Sequence, residues 1–346
     1  MKAIVQDRYG PADVLYLQEI DKPAIGDGDV LVRVRAAGVH IGDWHLMTGL
    51  PYLMRIMGFG FRAPKARVRG IDVAGSVEAV GRTVTRFQAG DEVFGTSNGA
   101  FAEYACARAD TLAPKPANLT FEQAAAIPTS ASTALLALRD AGGIERGHKV
   151  LVVGASGGVG IYAVQIAKAF GADVTGVSST AKVDMVRSIG ADHVIDYTQE
   201  DFIHTRSGPR YDLIVDLGGN RSLSQLRRAL RPRGTLVLVG GEGGDRRIRI
   251  GRSLQALAVS PFVSHTLRPL SSKPNSADLE FLTGLIQAGK VMPVLDRTYP
   301  LSEVPDAIRY LYEGRARGKI VIDVRGADRH PTHATSVRTE PTLITA

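Results

Sequence analysis

The hydrophobic positions of roughly the first 120 residues recur with the period of a β-strand. Val30, Val32 and Val34 alternate with larger or charged residues, as they would in a strand with one buried face. Further strand-like runs cover residues 1–5, 71–80, 92–94 and 101–106, and glycine, proline and aspartate separate them. This pattern predicts a partly open antiparallel barrel.

From residue 121 onward the pattern changes to alternating helices and strands. A helical stretch that includes Ala124 and Ile127 leads past Pro128 into residues 133–138. The strands predicted next cover residues 149–153, 173–177, 193–196, 211–216 and 235–239, with helices at 182–189 and 222–230. Alternation of this kind predicts an α/β fold with a doubly wound parallel sheet.

The last part of the chain contains two more helical patterns, at residues 278–288 and 303–313, and a strand at 319–324. We expect this part to fold back onto the first unit. Residues 326–346 are polar, contain two prolines and show no periodicity, which predicts a mobile tail. The predicted organisation is a barrel domain at 1–125, completed by about 265–325, and a doubly wound domain at 126–264.

The most informative stretch is residues 149–160, where an apolar run passes through a glycine-rich turn into a helical pattern. Glycines let a phosphate approach the backbone closely, and the following helix offers unpaired N–H groups and the positive end of its dipole. We therefore predict that the pyrophosphate of a dinucleotide binds here. The residues predicted to bind it are Ala155, Ser156, Gly157, Gly158, Val159 and Gly160. The alternative is a tight strand-to-helix turn without a ligand.

The residues after the second strand of this unit bear on the choice of dinucleotide. An acidic residue ~20 positions after the glycines binds the ribose of NAD, whereas this chain has Ser178 and Lys182 in that region. Asp173 and Asp184 lie before the strand and on the next helix, so neither replaces the carboxylate. A hydroxyl and a cation suit the 2′-phosphate of NADPH. The alternative is that these are ordinary loop residues and that Lys182 is a solvated charge.

Composition narrows the class of protein. A chain of 346 residues exceeds the size at which single cores usually stop growing, so we expect two domains. No window approaches a membrane span and the first residues lack a secretory signal, so we expect a cytoplasmic protein. Cys106 is the only cysteine, which excludes an intramolecular disulfide and a cysteine-rich zinc site.

The chain is basic, with a net charge of +7. Its lysines and arginines are spread thinly and no stripe of basic and aromatic residues occurs. We therefore expect the charge to steer a polyanionic cofactor and do not expect nucleic acid as the main partner.

Several separated stretches carry a family resemblance. They are residues 36–43, 70–81, 90–95, the glycine turn, 236–240 and 318–322. In this order they resemble the medium-chain dehydrogenase/reductase superfamily, and within it the zinc-free quinone oxidoreductase (zeta-crystallin-like) branch. The resemblance covers residues 1 to about 325. It implies a GroES-like barrel domain that holds the substrate and a Rossmann domain that binds NADPH.

One departure from the superfamily pattern affects the chemistry. The alcohol dehydrogenases of the superfamily bind zinc through a Gly-His-Glu motif, and the corresponding residues here are Gly70, Ile71 and Asp72. Isoleucine cannot bind a metal. His40, Asp43 and His45 lie close together in sequence, but no fourth ligand accompanies them, so we predict no metal site.

The resemblance implies an NADPH-dependent, zinc-independent reductase that transfers hydride to a quinone or an α,β-unsaturated carbonyl, and we expect a homodimer. Without a Lewis acid, an acceptor that is already electron-poor is favoured. One alternative is an NADP-dependent alcohol dehydrogenase or carbonyl reductase. Another is a relative that binds the cofactor without catalysis and acts through RNA or a protein partner.

The resemblance also implies roles for individual residues. Tyr52 is the candidate proton donor, although it could merely shape the pocket while water supplies the proton. His40 and Asp43 are expected to position nicotinamide and substrate; alternatively, Asp43 caps a helix that begins at Trp44. The insert at residues 52–64 is either a lid or a segment packed on the barrel's side. Further cofactor-binding positions are Thr129, Tyr197, Gly240 and Lys319, of which Thr129 could instead be a helix-terminal hydroxyl bonded to backbone.

Overall fold

The computed structural model describes residues 1–52, 54–201, 210–219, 221–239, 248–270 and 275–325. Gly240 and the tail at 326–346 lie outside the described residues. The strands are β1 Lys2–Val5, β2 Tyr16–Glu19, β3 Asp29–Val39, β4 Asp72–Val80, β5 Glu92–Thr96, β6 Tyr104–Arg108, β7 Leu112–Pro114, β8 Lys149–Val153, β9 Asp173–Ser178, β10 His193–Asp196, β11 Tyr211–Asp216, β12 Leu230–Leu238, β13 Thr266–Pro269, β14 Leu295–Pro300 and β15 Lys319–Asp323. The α-helices are α1 Ile41–Thr48, α2 Phe121–Ala125, α3 Pro128–Leu136, α4 Gly160–Ala169, α5 Val183–Ser188, α6 Leu223–Ala229, α7 Ile248–Val259, α8 Ser276–Gln287 and α9 Val304–Tyr312.

A six-stranded parallel sheet has the order β10-β9-β8-β11-β12-β13. In chain order this is 3-2-1-4-5-6, so the direction of winding reverses between β8 and β11, as in a Rossmann fold. The predicted doubly wound parallel sheet is confirmed. Strand β13 was not predicted, and the boundary expected at residue 264 falls before it. Its short sequence carries no strand pattern of its own, and the pairing with β12 is what makes it a strand.

Both faces of this sheet are covered. Val150 and Val152 face a core that includes side chains of α3, α4 and α8, whereas Leu151 and Val153 face a core that includes α6 and α7. Side chains along a strand point alternately to opposite faces, so a continuous apolar run is what two covered faces require.

The second large sheet has the order β14-β15-β3-β4-β5-β7, with β6 also paired to β3. Its pairs are antiparallel except for β14 with β15. Strand β15 pairs with β3, which joins the last described part of the chain to the first. Val30, Val32 and Val34 are buried in its core, as their alternation predicts. The expectation of a GroES-like unit beside a Rossmann-like unit is thus met by two separate sheets.

The helical stretch predicted from residue 121 divides at Pro128. Helix α2 ends at Ala125 and α3 begins at Pro128 itself. Proline suits the first position of a helix because that position needs no N–H partner. Among the described helices, none is long and apolar enough to cross a membrane.

Candidate functional site

The glycine turn after β8 is a tight loop that leads into α4. Gly154 has φ +87°, a conformation that favours glycine, and its N–H and that of Ala155 donate to the carbonyl of Val177. A Cβ on Gly160 would lie 2.1 Å from the carbonyl oxygen of Gly154, whereas a Cβ on Gly158 would meet nothing closer than 3.4 Å. The loop is therefore closed against its own backbone at Gly160, whereas a Cβ at Gly158 would be in ordinary contact with Lys319 and Ser130.

A cavity of about 590 Å³ lies against this loop. Its wall includes Gly154, Ser178 and Gly218, which lie at or just beyond the carboxyl ends of β8, β9 and β11. Ligands of open α/β sheets bind at this edge, where the strand order reverses. The volume falls within the ~300–1,000 Å³ range of ligand pockets.

The opposite wall is formed by elements that flank the second large sheet. Helix α1 contributes Ile41, Trp44 and His45, and the segment after α9 contributes Glu313, Gly314, Ala316 and Gly318. The cavity is therefore a cleft between the region of the parallel sheet and that of the second sheet. A ligand there would touch both.

One end of the cleft carries hydroxyl and cationic groups. Ser178 and Lys182 both line it, as does Tyr197. The Oγ of Ser178 is buried and has no hydrogen-bond partner among the described residues, while the Lys182 ammonium donates to the carbonyls of Gly314 and Ala316 at 2.9 and 2.7 Å. Lys182 thus holds the segment after α9 against the end of β9.

Arg221 lines the cleft as well, and the sequence analysis missed it. It follows the turn beyond β11 and lies 3.5 Å from Asp201. The signal available in the sequence was its place just after a parallel strand, where side chains face the ligand-binding edge.

His40 and Asp43 are buried at the start of α1 and are not among the residues lining the cleft. His40 is the N-cap: its Nδ1 accepts from the Gly42 N–H at 3.0 Å, and its own N–H donates to the Asp43 carboxylate at 2.9 Å. The expectation that Asp43 caps a helix beginning at Trp44 is wrong. The helix begins at Ile41, and Asp43 completes a capping box from its third position.

Burial dominates the electrostatics of this pair. It lowers the pKa of His40 to about 4 and raises the pKa of Asp43 to about 7, because a low-dielectric interior disfavours the charged form of each group. Neutral His40, whose Nδ1 is an acceptor, carries its proton on Nε2. Within the part of the chain that the structure describes, that atom and Oδ1 of Asp43 are buried without hydrogen-bond partners.

Thr129 and Lys319 lie behind the glycine loop in the same buried polar cluster. The Thr129 N–H and hydroxyl both donate to the Asp72 carboxylate, so the hydroxyl bonds a side chain and not the backbone that the alternative prediction specified. The Lys319 ammonium donates to the Ser130 hydroxyl at 2.8 Å and to a backbone carbonyl of β3 at 3.1 Å. Burial raises the pKa of Asp72, and the nearby Lys319 charge opposes that rise.

Tyr52, the candidate proton donor, lies in a neighbouring cavity of about 500 Å³. It is 65% exposed, and the Arg55 guanidinium lies 4.8 Å from its ring and 4.3 Å from the ring of Tyr9. His45 lines the cleft instead, with its Nδ1 2.8 Å from the carbonyl oxygen of Leu50. From the sequence, His45 was considered as a metal ligand or as a side chain packed on the face of its helix, and not as part of the cleft.

The insert at residues 52–64 is held near its middle by Tyr9. The Tyr9 hydroxyl lies within hydrogen-bond distance of the carbonyls of Phe59 and Gly60, while Ile56 and Phe61 are exposed. This contact with Tyr9 fits packing on the side of the barrel.

Within the described ranges, no three His, Cys, Asp or Glu side chains come together in a way that could hold a metal ion. In each of the two histidines considered as ligands, Nδ1 already faces a group of the protein: the Gly42 N–H for His40 and the carbonyl oxygen of Leu50 for His45.

The comparison with known proteins agrees with this architecture. Residues 26–117 match the alcohol dehydrogenase GroES-like domain and residues 189–322 match the zinc-binding dehydrogenase family. The 2-methylene-furan-3-one reductase of Solanum lycopersicum is 35% identical over 93% of this chain and 79% of its own length. The chain belongs to the medium-chain dehydrogenase/reductase superfamily.

Solved members of this superfamily superpose along most of the chain. The quinone oxidoreductase from Coxiella burnetii has a TM-score of 0.83 and 30% identity, over 94% of this chain and 99% of its own. The quinone oxidoreductase of Escherichia coli, solved with NADPH, has a TM-score of 0.79 and 25% identity, over 94% and 100%. The resemblance identified in the sequence and the expectation of an oxidoreductase are confirmed.

Proposed function

We propose that this protein is an NADPH-dependent, zinc-independent reductase that acts on quinones or α,β-unsaturated carbonyls. The observation that carries the proposal is the cleft itself: a glycine loop at the reversal point of a parallel sheet, with Ser178, Lys182 and Arg221 at one end. The relative from Coxiella burnetii is named a quinone oxidoreductase, and the relative from Solanum lycopersicum is named for a ring ketone conjugated with a methylene group.

The cleft fits a phosphorylated dinucleotide. Gly158 and the start of α4 would hold the pyrophosphate. Ser178, Lys182 and Arg221 would hold the 2′-phosphate, and the buried Ser178 hydroxyl, which has no hydrogen-bond partner in the described part of the chain, supports this. Lys319 and Thr129 would support the loop from behind. When bound, NADPH supplies the hydride.

The residues at the position of the superfamily's zinc-binding motif favour an electron-poor acceptor. Ile71 replaces a metal-binding histidine, so the protein offers no Lewis acid there to polarise a simple carbonyl. Orientation of the acceptor in a cleft and exclusion of water are then the main contributions of the protein. The cytoplasmic location and the homodimer stay predictions from the sequence.

We assign delivery of the proton to His45 and not to Tyr52. A carbonyl oxygen only accepts, so the Nδ1 that faces Leu50 at 2.8 Å carries a proton. His45 can therefore release a proton from Nε2 only as the imidazolium, or position a water through the neutral ring. Reduction of an enone requires protonation of carbon, whereas a hydroquinone anion takes its proton from water. His45→Gln should lower kcat for an enone at least tenfold and for a quinone much less, with Tyr52→Phe as the comparison. Equal losses on both substrates, or a larger loss in Tyr52→Phe, would reject this assignment.

The function is tested by following NADPH and NADH oxidation with a quinone, a conjugated enone and a saturated ketone, with a chelator present. We expect turnover of the first two, with NADPH preferred and no effect of the chelator. Turnover of the saturated ketone alone would support the carbonyl reductase alternative. Tight NADPH binding with no turnover would support a non-catalytic role.

The preference for NADPH is tested by Lys182→Ala. Loss of a charge-assisted contact worth ~1.5–3 kcal/mol should raise Kd for NADPH about tenfold to a hundredfold and leave Kd for NADH almost unchanged. Lys290→Ala is the matched control, because Lys290 is an exposed lysine just beyond α8. An equal loss for both cofactors would place Lys182 in a purely structural role.

A further inference from the structure

The cavity beside the cleft, here called the side cavity, has a predominantly apolar floor. It lies between the loop at residues 9–12 and helices α1 and α9, and its volume is about 500 Å³. Its apolar lining includes Pro11, Ala12, Met47, Leu50 and Ile308. Ala12, Met47 and Ile308 are buried members of the barrel core, so the floor is buried and apolar.

The side cavity and the cleft share a boundary. Trp44, Leu50 and Tyr312 line both. The rings of Trp44 and Tyr312 stack with centroids 4.6 Å apart and planes within 6°, and Tyr312 is 55% exposed. The stack is therefore a ridge on the boundary of the two cavities that reaches the surface at Tyr312, and a ligand with a part in each cavity would lie across or beside it.

The head of such a ligand would lie beside His45. His45 lines the cleft, and its ring is 5.1 Å from Trp44 in an edge-to-face arrangement. A ring that receives hydride near His45 would thus lie next to Trp44, which with Leu50 also lines the side cavity. A substituent on that ring would enter the side cavity.

The charges around the side cavity favour a neutral occupant. The Arg55 guanidinium donates to the carbonyls of Gly49 and Thr48 and lies over two tyrosine rings. Arg309 is paired with Asp13 and Asp306. Both cations of the rim are therefore engaged by the protein, which leaves little attraction for an anion.

We propose that the side cavity binds a hydrocarbon chain attached to the quinone or enone ring, so that the preferred substrates are amphipathic. The proposal rests on the proposed function of the cleft. Apolar lining, continuity with the cleft and engaged rim cations all favour an alkyl chain over a polar group. The physical driving force is removal of the chain from water.

Chain length is the direct test. p-Benzoquinones with methyl, butyl and octyl substituents should show KM falling by up to ~4-fold per added methylene until the cavity is full, with kcat changing much less. Ala12→Leu, which fills part of the floor, should weaken this dependence for octyl and leave the methyl compound unchanged. Ala288→Leu is the matched control, since Ala288 is exposed at the end of α8. A KM that does not change with chain length in the unaltered protein would overturn the proposal, as would an unchanged dependence in a folded Ala12→Leu variant.

A binding measurement separates this proposal from the catalytic one. Trp44 is the only tryptophan and lies on the ridge, so its fluorescence reports occupancy without NADPH. Octylcyclohexanone, a saturated ketone, should bind at least tenfold more tightly than methylcyclohexanone. If no quinone or enone is turned over but this difference persists, the proposed reaction fails and the side cavity stands. If turnover occurs and the two ketones bind equally, the side cavity fails and the reaction stands.

Discussion

The buried pair at the start of α1 predicts two opposing contributions to the pH dependence of stability. Asp43→Asn and His40→Asn each remove one titrating group and conserve its hydrogen bond. Asparagine can accept from the His40 N–H as aspartate does, and it is also a good N-cap that can accept from Gly42. The two variants therefore change the titration with little change of local structure.

The magnitudes follow from the pKa values. The pKa of Asp43 rises from 3.8 to about 7, which at ~1.4 kcal/mol per pKa unit corresponds to about 4 kcal/mol. That stability is present below pH 3.8 and is lost as pH rises towards 7, because the folded state holds its proton longer. The pKa of His40 falls from 6.5 to about 4, about 3 kcal/mol that is present above pH 6.5 and lost on acidification. In the native protein the two slopes oppose each other between pH 4 and 6.5.

The assay is chemical denaturation followed by circular dichroism at several values between pH 4.5 and 7.5, for the native protein and both variants. The free energy of unfolding of Asp43→Asn, relative to native, should rise by about 3 kcal/mol as pH increases across this range. That of His40→Asn should rise as pH decreases. The attraction between Asp43 and Lys319 exists only while Asp43 is ionised, and it already contributes to the pKa of Asp43 in the folded protein. Differences from native that do not vary with pH would refute the assignment of these burial effects.

Further substitutions test three other parts of the structure. Gly158→Ala should have the stability of the native protein, since a Cβ there meets nothing closer than 3.4 Å, and should raise Kd for NADPH at least tenfold. In Gly160→Ala the new Cβ would lie 2.1 Å from a backbone oxygen, so this variant should lose ~1–3 kcal/mol of stability. Thermal melts and cofactor titrations of both variants distinguish the two effects. Arg252→Met breaks the buried 2.6 Å ion pair with Asp216 and should lower the free energy of unfolding by ~3–5 kcal/mol. The double variant that also carries Asp216→Asn should regain part of that stability. Arg55→Met removes two hydrogen bonds to the carbonyls of Thr48 and Gly49, so it should lower the free energy of unfolding by ~1–3 kcal/mol and speed proteolysis within residues 52–64. An unchanged cleavage rate would contradict the role of Arg55.

Local sequence was enough to predict the elements that depend on near neighbours. Strands β8, β10 and β11 coincide with the predicted ranges, because their apolar runs need no distant partner to be recognised. The glycine turn was likewise predicted, since its conformation is encoded by glycines within a few positions. Short strands such as β13 and β14 were missed, because what makes them strands is the edge to which they bond.

What the sequence alone determined is the fold class and the glycine turn, which follow from periodicity and local glycine chemistry, and the family, which follows from the resemblance carried by several separated stretches. Only the tertiary structure decided where the side chains of α1 and its following turn lie: His45 lines the cleft, and Tyr52 lines the side cavity. It also joined Thr129 to Asp72, 57 positions apart, and brought Arg221 and Lys182 to the same cleft. The reason is physical: helix rotation and sheet order set where side chains meet, and both are decided by the packing of the whole core.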